Sequence, residues 1–241
     1  VAGLNGKTIL VVGGTSGIGL AAAQRFAEDG ARVVVASRSA TNIEAAARAL
    51  GNGTKGRVLD TTDDAAVEAF FSDGTVYDHI VISAAKTPRG PVRDLALADA
   101  QSAMNSKFWG SYRTVRAAVR ANAISKQGSV TFVSGFLSVR PSKTAALQGA
   151  INAALEALGR GLALELAPIR VNTASPGFVD TPLWGDQTTP EHQALLAKMA
   201  GSLPASLAGK PEHVAIQIEA FLTNPYITGT TVLVDGGGAI A

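Results

Sequence analysis

With 241 residues, 46% of them hydrophobic and none of them cysteine, the chain can build a two-sided core and excludes disorder, disulfides and thiolate metal sites. Its 21 basic and 19 acidic residues leave a formal charge of +2 with no block of like charge, which argues against nucleic acid or an anionic membrane as partner. Apolar runs fall short of the roughly 18 residues of a spanning helix, and residues 1–10, VAGLNGKTIL, lack a signal-peptide pattern, so a cytoplasmic protein with one domain over 1–241 is expected.

Strands are predicted at 8–13 (TILVVG), 32–37 (RVVVAS), 56–59 (GRVL), 79–84 (HIVISA), 129–134 (SVTFVS), 169–175 (IRVNTAS) and 231–235 (TVLVD). Helical periods such as GLAAAQRFAEDG, closed by Gly30, lie between them. Apolar residues run continuously along the strands instead of alternating, so both faces are expected to be buried. That means an α/β fold with a parallel sheet and helices on each side. Two later helices are legible by their spacing. Met104, Phe108, Tyr112, Val115 and Val119 fall on one predicted face; Leu147, Ile151, Leu155, Leu158, Leu162 and Leu166 fall on another. The second helix also carries Gly149, Ala153, Ala157 and Gly161 four apart, a stripe that packs either inside the subunit or against a second copy.

The first strand runs into GGTSGIG, which places Gly13, Thr15, Ser16, Gly17, Ile18 and Gly19 on the turn into the first helix. Glycine there lets the backbone approach a pyrophosphate, and the free N–H groups of the helix start hold it. The second strand ends in Ser37, Arg38 and Ser39, with no carboxylate before Glu44. An NAD site places an acidic group there for the ribose hydroxyls, whereas a guanidinium beside two hydroxyls suits the 2′-phosphate of NADP(H).

Together these features resemble the short-chain dehydrogenase/reductase family over the whole chain. The resemblance implies a Rossmann-type, doubly wound sheet of seven parallel strands in the order 3-2-1-4-5-6-7. VLDTTD looks like the family's adenine-contacting segment, with Asp60 and Thr61. ISAA at 82–85 stands where the family has NNAG, and puts Ala84 at the cofactor. RVNTASPGFVDTP is similar to the segment beside the nicotinamide, with Pro176, Gly177, Val179 and Thr181, and YITGTTVLVDGG resembles the closing strand.

In that family a Ser holds the substrate oxygen, a Tyr transfers the proton, a Lys lowers the Tyr pKa and binds the ribose, and an Asn supports a water chain. Asn105, in AMNSKFWGS, matches the Asn. Ungapped alignment on GRGLALELAPIRVN puts Asn152 at the Lys, Gln148 at the Tyr and Gly135, beside Ser134, at the Ser. Matching SKTAAL instead would make Lys143 the lysine and put Val139 at the tyrosine. The chain has only Tyr77, Tyr112 and Tyr226, and none fits the proton-transfer position in either register.

The expected catalytic set is therefore Asn105, Ser134, Gln148 and Asn152, with Asn152 also bonding the ribose. Amides orient a carbonyl but do not supply a proton near neutral pH. Ser138, Arg140 and Lys143 after the fifth strand are alternative donors or anchors, and Lys86, Arg89 and Arg93 after the fourth could attract an anionic substrate. His79, His192 and His213 lack metal-ligand spacing, so no metal site is expected. A substrate lid is expected at 182–210. The sequence reads as an NADP(H)-dependent oxidoreductase for a small carbonyl or alcohol, expected to be a homodimer or homotetramer. The alternative is a non-catalytic NADP(H)-binding regulatory or scaffold protein.

Overall fold

Every apolar strand segment found in the sequence becomes part of one sheet in the computed structural model, which describes residues 3–86 and 88–241. Val1, Ala2 and Thr87 lie outside the described residues, so the reading of the first ten is followed from Gly3 and that of the basic loop from either side of position 87. The strands are β1 (Thr8–Val12), β2 (Arg32–Ser37), β3 (Lys55–Val58), β4 (Tyr77–Ile82), β5 (Ile124–Val133), β6 (Arg170–Pro176) and β7 (Thr231–Val234). All neighbours pair in parallel, in the order β3-β2-β1-β4-β5-β6-β7. The helices are α1 (Gly17–Glu28), α2 (Ala40–Leu50), α3 (Asp64–Phe70), α4 (Leu97–Met104), α5 (Gly110–Arg120), α6 (Ala146–Glu165), α7 (Pro190–Ser202) and α8 (Pro211–Thr223).

The period of two along β1 explains its unbroken apolar run. Leu10 and Val12 face a core with Phe70, Phe71, Val115 and Leu155, whereas Ile9 and Val11 face another with Phe26, Ile43, Ile218 and Phe221. β1 lies between β2 and β4, where the winding direction reverses, and this opens a cleft at the carboxyl edge of the sheet. The fourth strand stops two residues earlier than expected. Ser83 and Ala84 both donate their N–H to the Val12 carbonyl (2.9 and 3.1 Å), which bends the chain over the end of β1.

The face expected for residues 104–119 is corrected by the structure. A π-helical turn, Asn105–Trp109, joins α4 to α5 and shifts the angular register of everything after it. The buried residues of α5 are Gly110, Ser111, Thr114, Val115, Ala117 and Ala118, while Trp109 and Tyr112 point outward, edge to face at 5.9 Å. The small-residue stripe on α6 also divides. A Cβ on Gly149 would lie 2.7 Å from the Leu137 carbonyl, so that position packs inside the subunit, whereas Ala153, Ala157 and Gly161 are exposed. Among the described residues no helix is long and apolar enough to cross a membrane.

Candidate active site

The turn after β1 is shaped by residues that tolerate no side chain. Gly13 has φ +85°, and a Cβ on it would lie 2.6 Å from the Ala84 nitrogen; a Cβ on Gly19 would run into the Gly13 carbonyl. Ser16 precedes α1 in an extended conformation and its hydroxyl makes no capping bond, so the first-turn N–H groups face the cleft unblocked. Thr15 and Ile18 are half-buried beside it. The segment after β6 closes on this turn. The Thr181 methyl would lie 3.2 Å from a Cβ on Gly17, and a Cβ on Gly177 would lie 2.7 Å from the Asp235 side chain. Pro176 ends β6, and Val179 is buried beneath it.

Ser37, Arg38 and Ser39 stand together at the end of β2. Ser39 caps α2 by accepting the Asn42 N–H (3.2 Å), while Arg38 is exposed and has no carboxylate within salt-bridge distance. Its nearest acidic influence is Asp60. Burial raises the Asp60 pKa, but bonds from the Thr62 N–H (2.9 Å) and hydroxyl (2.7 Å), with the Arg38 charge, outweigh this and hold it below the usual range. Thr61 is buried against Gly110, where a Cβ would lie 2.7 Å from its hydroxyl.

Gln148, Asn152 and Glu156 form one line along α6, four residues apart, and all three are buried. The Gln148 amide nitrogen donates to the Pro88 carbonyl in the loop after β4, and its buried Oε1 has no partner among the described residues. Asn152 Oδ1 accepts from Lys107 Nζ at 2.7 Å, and the same ammonium donates to the Ser134 carbonyl at 2.6 Å. Gly135 makes room for this arrangement, since a Cβ there would lie 2.8 Å from the Asn152 amide nitrogen.

Glu156 Oε1 accepts the hydroxyls of Ser134 (2.7 Å), Ser138 (2.8 Å) and Ser175 (3.0 Å). Ser134 thus turns its hydroxyl into the protein and contributes only its carbonyl to the lysine. Asn105 Oδ1 accepts from Arg113 Nη1 (2.8 Å), on the outer side of the helix. Burial, reinforced by the Arg89 charge and opposed by that of Glu156, pulls the Lys107 pKa down to about 8.

The short helical turn at Pro182–Trp184 and the basic loop after β4 meet beside this cluster. The Arg89 guanidinium lies 4.6 Å over the Trp184 ring, Trp184 packs on Phe178 at 4.8 Å, and its Nε1 donates to the Val179 carbonyl (2.9 Å). His192 bonds Asp180 (2.8 Å) together with Gln187 (2.7 Å), fastening α7 to the segment after β6. Lys86, Arg93, Arg140 and Lys143 are exposed on loops. His79 lies inside the sheet with Nδ1 2.9 Å from Ser129 Oγ, and burial pushes its pKa down to about 4, so it stays neutral. His213 accepts the Lys210 N–H at the start of α8. Tyr77 opens β4 at the opposite edge of the sheet, and Tyr112 and Tyr226 are on the surface.

This combination of cradle, strand order and cleft recurs in known proteins. The family model described as Enoyl-(Acyl carrier protein) reductase matches residues 12–238. The chain belongs to the short-chain dehydrogenase/reductase family. A solved short-chain dehydrogenase/reductase family protein superposes with a TM-score of 0.88 at 31% identity, covering 100% of both chains. A small-chain dehydrogenase in complex with NADPH gives a TM-score of 0.84 at 32% identity, over 98% of this chain and 100% of that one. Carbonyl reductase family member 4 of Danio rerio is 33% identical over 96% of this chain and 97% of its own. The 3-oxoacyl-acyl-carrier-protein reductase of Vibrio cholerae is 29% identical over 97% and 98%.

Within this short-chain dehydrogenase/reductase the structure brings Gln148, Asn152 and Ser134 together and adds two residues that sequence reasoning missed. Glu156 was detectable, because it continues the four-residue spacing of Gln148 and Asn152 on a line of otherwise apolar helix. Lys107 was not. It lies two residues after Asn105, a spacing that regular helix geometry sends to another face.

Proposed function

We propose that the protein is an NADP(H)-dependent oxidoreductase interconverting a carbonyl and an alcohol with a non-standard active site. It would work as one cofactor-binding domain over 1–241 with a substrate lid at 182–210. The observation that carries this reading is the meeting of the glycine cradle with a polar cluster of Gln148, Asn152 and Lys107 at the same sheet edge. The cradle fits the group: it leaves space where any Cβ would intrude, and it exposes helix N–H groups for a pyrophosphate. When bound, the nicotinamide supplies or accepts the hydride. Gly13, Thr15, Ser16, Gly17, Ile18 and Gly19 hold the phosphates, Asp60, Thr61 and Ala84 flank the adenine side, and Pro176, Gly177, Val179 and Thr181 line the nicotinamide side. Gln148 ties α6 to the loop after β4 through the Pro88 carbonyl, and the next residue of that loop, Arg89, stacks on Trp184 at the edge of the site.

Steady-state oxidation of NADPH across a broad carbonyl panel tests the reading. Tight NADPH binding without turnover on any substrate would return the protein to the non-catalytic alternative.

NADPH is expected to bind more tightly than NADH, because Arg38 stands exposed between two hydroxyls without a carboxylate partner. Loss of a charge-assisted bond to the 2′-phosphate costs roughly 1.5–3 kcal/mol. Calorimetry on wild type and Arg38→Ala should show that penalty for NADPH and little change for NADH; equal affinities in wild type would contradict it.

The exposed face carrying Ala153, Ala157 and Gly161, continued by Leu164, supports assembly with a second copy. A dimer or tetramer is expected by light scattering at micromolar concentration, with Ala157→Trp shifting the mass downward. A wild-type monomer would rule this out.

A further inference from the structure

We propose that Lys107 is the proton donor of this site: its ammonium delivers a proton to the substrate oxygen as hydride reaches the adjoining carbon. The inference rests on the oxidoreductase reading above and names the acid that reading leaves open.

The argument begins with elimination. Gln148 and Asn152 are amides, which do not release protons near neutral pH. The hydroxyls of Ser134, Ser138 and Ser175 all point at Glu156 Oε1, away from the cleft. Arg89 is a guanidinium, which keeps its proton throughout the working range. Lys86, Arg93, Arg140 and Lys143 are exposed on loops, and the three tyrosines lie elsewhere.

Among these described residues Lys107 is what remains, and its geometry suits the task. An ammonium has three N–H bonds. Two are used, by the Ser134 carbonyl at 2.6 Å and Asn152 Oδ1 at 2.7 Å, and these fix the nitrogen against the residue that aligns with the family's Lys and the one preceding the position of its Ser. Among the described residues the third has no partner, and in this reading it meets the substrate oxygen. The π-helical turn at 105–109 creates the placement, because its wider turn carries the side chain across to α6.

The charges facing Lys107 are Glu156 from α6 and Arg89 from the loop after β4; the residue just after β5 contributes the Ser134 carbonyl. Burial and Arg89 bring the group to about 8, within the range where a lysine both holds and releases a proton at working pH. Glu156 keeps it from falling further.

The step balances. In the reducing direction the carbonyl carbon gains a C–H bond from the hydride of NADPH, which leaves as NADP⁺. The C=O π pair moves to oxygen, and that oxygen takes a proton from Lys107 Nζ to give the alcohol. The neutral amine then regains a proton from water.

The test pairs a titration with kinetics. In wild-type protein carrying ¹³Cε-labelled lysine, one resonance, assigned by its disappearance in Lys107→Met, should titrate near 8. Titration above 10 overturns the inference whatever the activity. On the best substrate of the panel, with NADPH saturating, wild-type reduction should fall on the alkaline side of about pH 8. Lys107→Met should lose at least a hundredfold in kcat and lose that alkaline limb, with NADPH affinity changed by less than tenfold. Lys107→Arg keeps the charge without a transferable proton and should lose a similar factor; full activity in Lys107→Arg would show that charge alone matters and overturn proton transfer. If Lys107→Met does not fold, the Arg variant and the wild-type titration still decide. An active wild type with an unimpaired Lys107→Met overturns this inference alone, whereas a wild type with no turnover overturns the oxidoreductase reading together with it.

Discussion

Glu156→Ala is expected to lower the unfolding free energy by about 3–5 kcal/mol, the range for removing one member of a buried charged cluster. The carboxylate is buried, and a single oxygen accepts three serine hydroxyls, two from the segment that follows β5 and one from β6. Truncation leaves those donors without their acceptor, opens a cavity between α6 and the sheet, and removes the negative charge that supports Lys107. Glu156→Gln keeps an oxygen in place and should cost far less, about 1–2 kcal/mol, the worth of weakened hydrogen bonds to a neutral acceptor. Urea unfolding of the cofactor-free protein measures both. The Lys107 titration should also move further below 8 in Glu156→Gln, since the charge that raises it is gone.

The sign of the pH dependence follows from the same lysine. Its pKa is lower folded than unfolded, so the unfolded chain binds more protons between about 8 and 10.5, and this group makes stability rise with pH across that window. Loss of that rise in Lys107→Met separates its contribution from other titrating groups. A Glu156→Ala variant within 1 kcal/mol of wild type would show that the serine cluster is not a stabilising unit.

Most of the frame could be read from the residues, and the reasons are local. The inner strands were legible because a strand of a doubly covered parallel sheet must be apolar on both faces, as Ile9 to Val12 illustrate, whereas the edge strand β3, with Lys55 and Arg57, is mostly exposed. The glycine turn was legible because Gly13 and Gly19 stand where no Cβ fits. What failed was anything that depended on helix phase across residues 104–112. A π-helical turn leaves no clear mark in composition, yet it moved Tyr112 from an expected buried face to the surface and sent Lys107 across to α6. Side-chain direction was equally hidden. Ser134 and Asn105 lie at the expected positions in the chain, but the hydroxyl of one is held by Glu156 and the amide of the other by Arg113. Spacing locates a residue on an element; the polar partners that choose its rotamer come from distant parts of the chain.

Asn152→Lys, which reinstates the family's residue at the aligned position, is expected to damage this protein. The Asn152 amide oxygen accepts from Lys107 at 2.7 Å, so the substitution replaces an acceptor by a second ammonium at close range. Two like charges about 4 Å apart repel by about 4 kcal/mol at an effective dielectric of about 20. The pair would relieve part of this by sharing one fewer proton and titrating as a unit. The single variant should therefore lose about 2–4 kcal/mol of stability near pH 7, lose less at pH 9, and fall at least a hundredfold in turnover. Adding Gly135→Ser and Gln148→Tyr does not help while Lys107 stays, because a side chain at 135 competes for the space around position 152. Lys107→Asn in the same chain should help, since the reciprocal exchange returns the cluster to one ammonium and one amide. A double-mutant cycle on 107 and 152 should give a coupling energy of at least 2 kcal/mol in the direction of rescue. Additive effects would mean that the two side chains do not share a site, and Asn152→Lys with undiminished stability would mean that the cleft accommodates two cations apart from one another. Either result would remove the physical reason for an asparagine at 152, which here is that the lysine has already been supplied from the neighbouring helix.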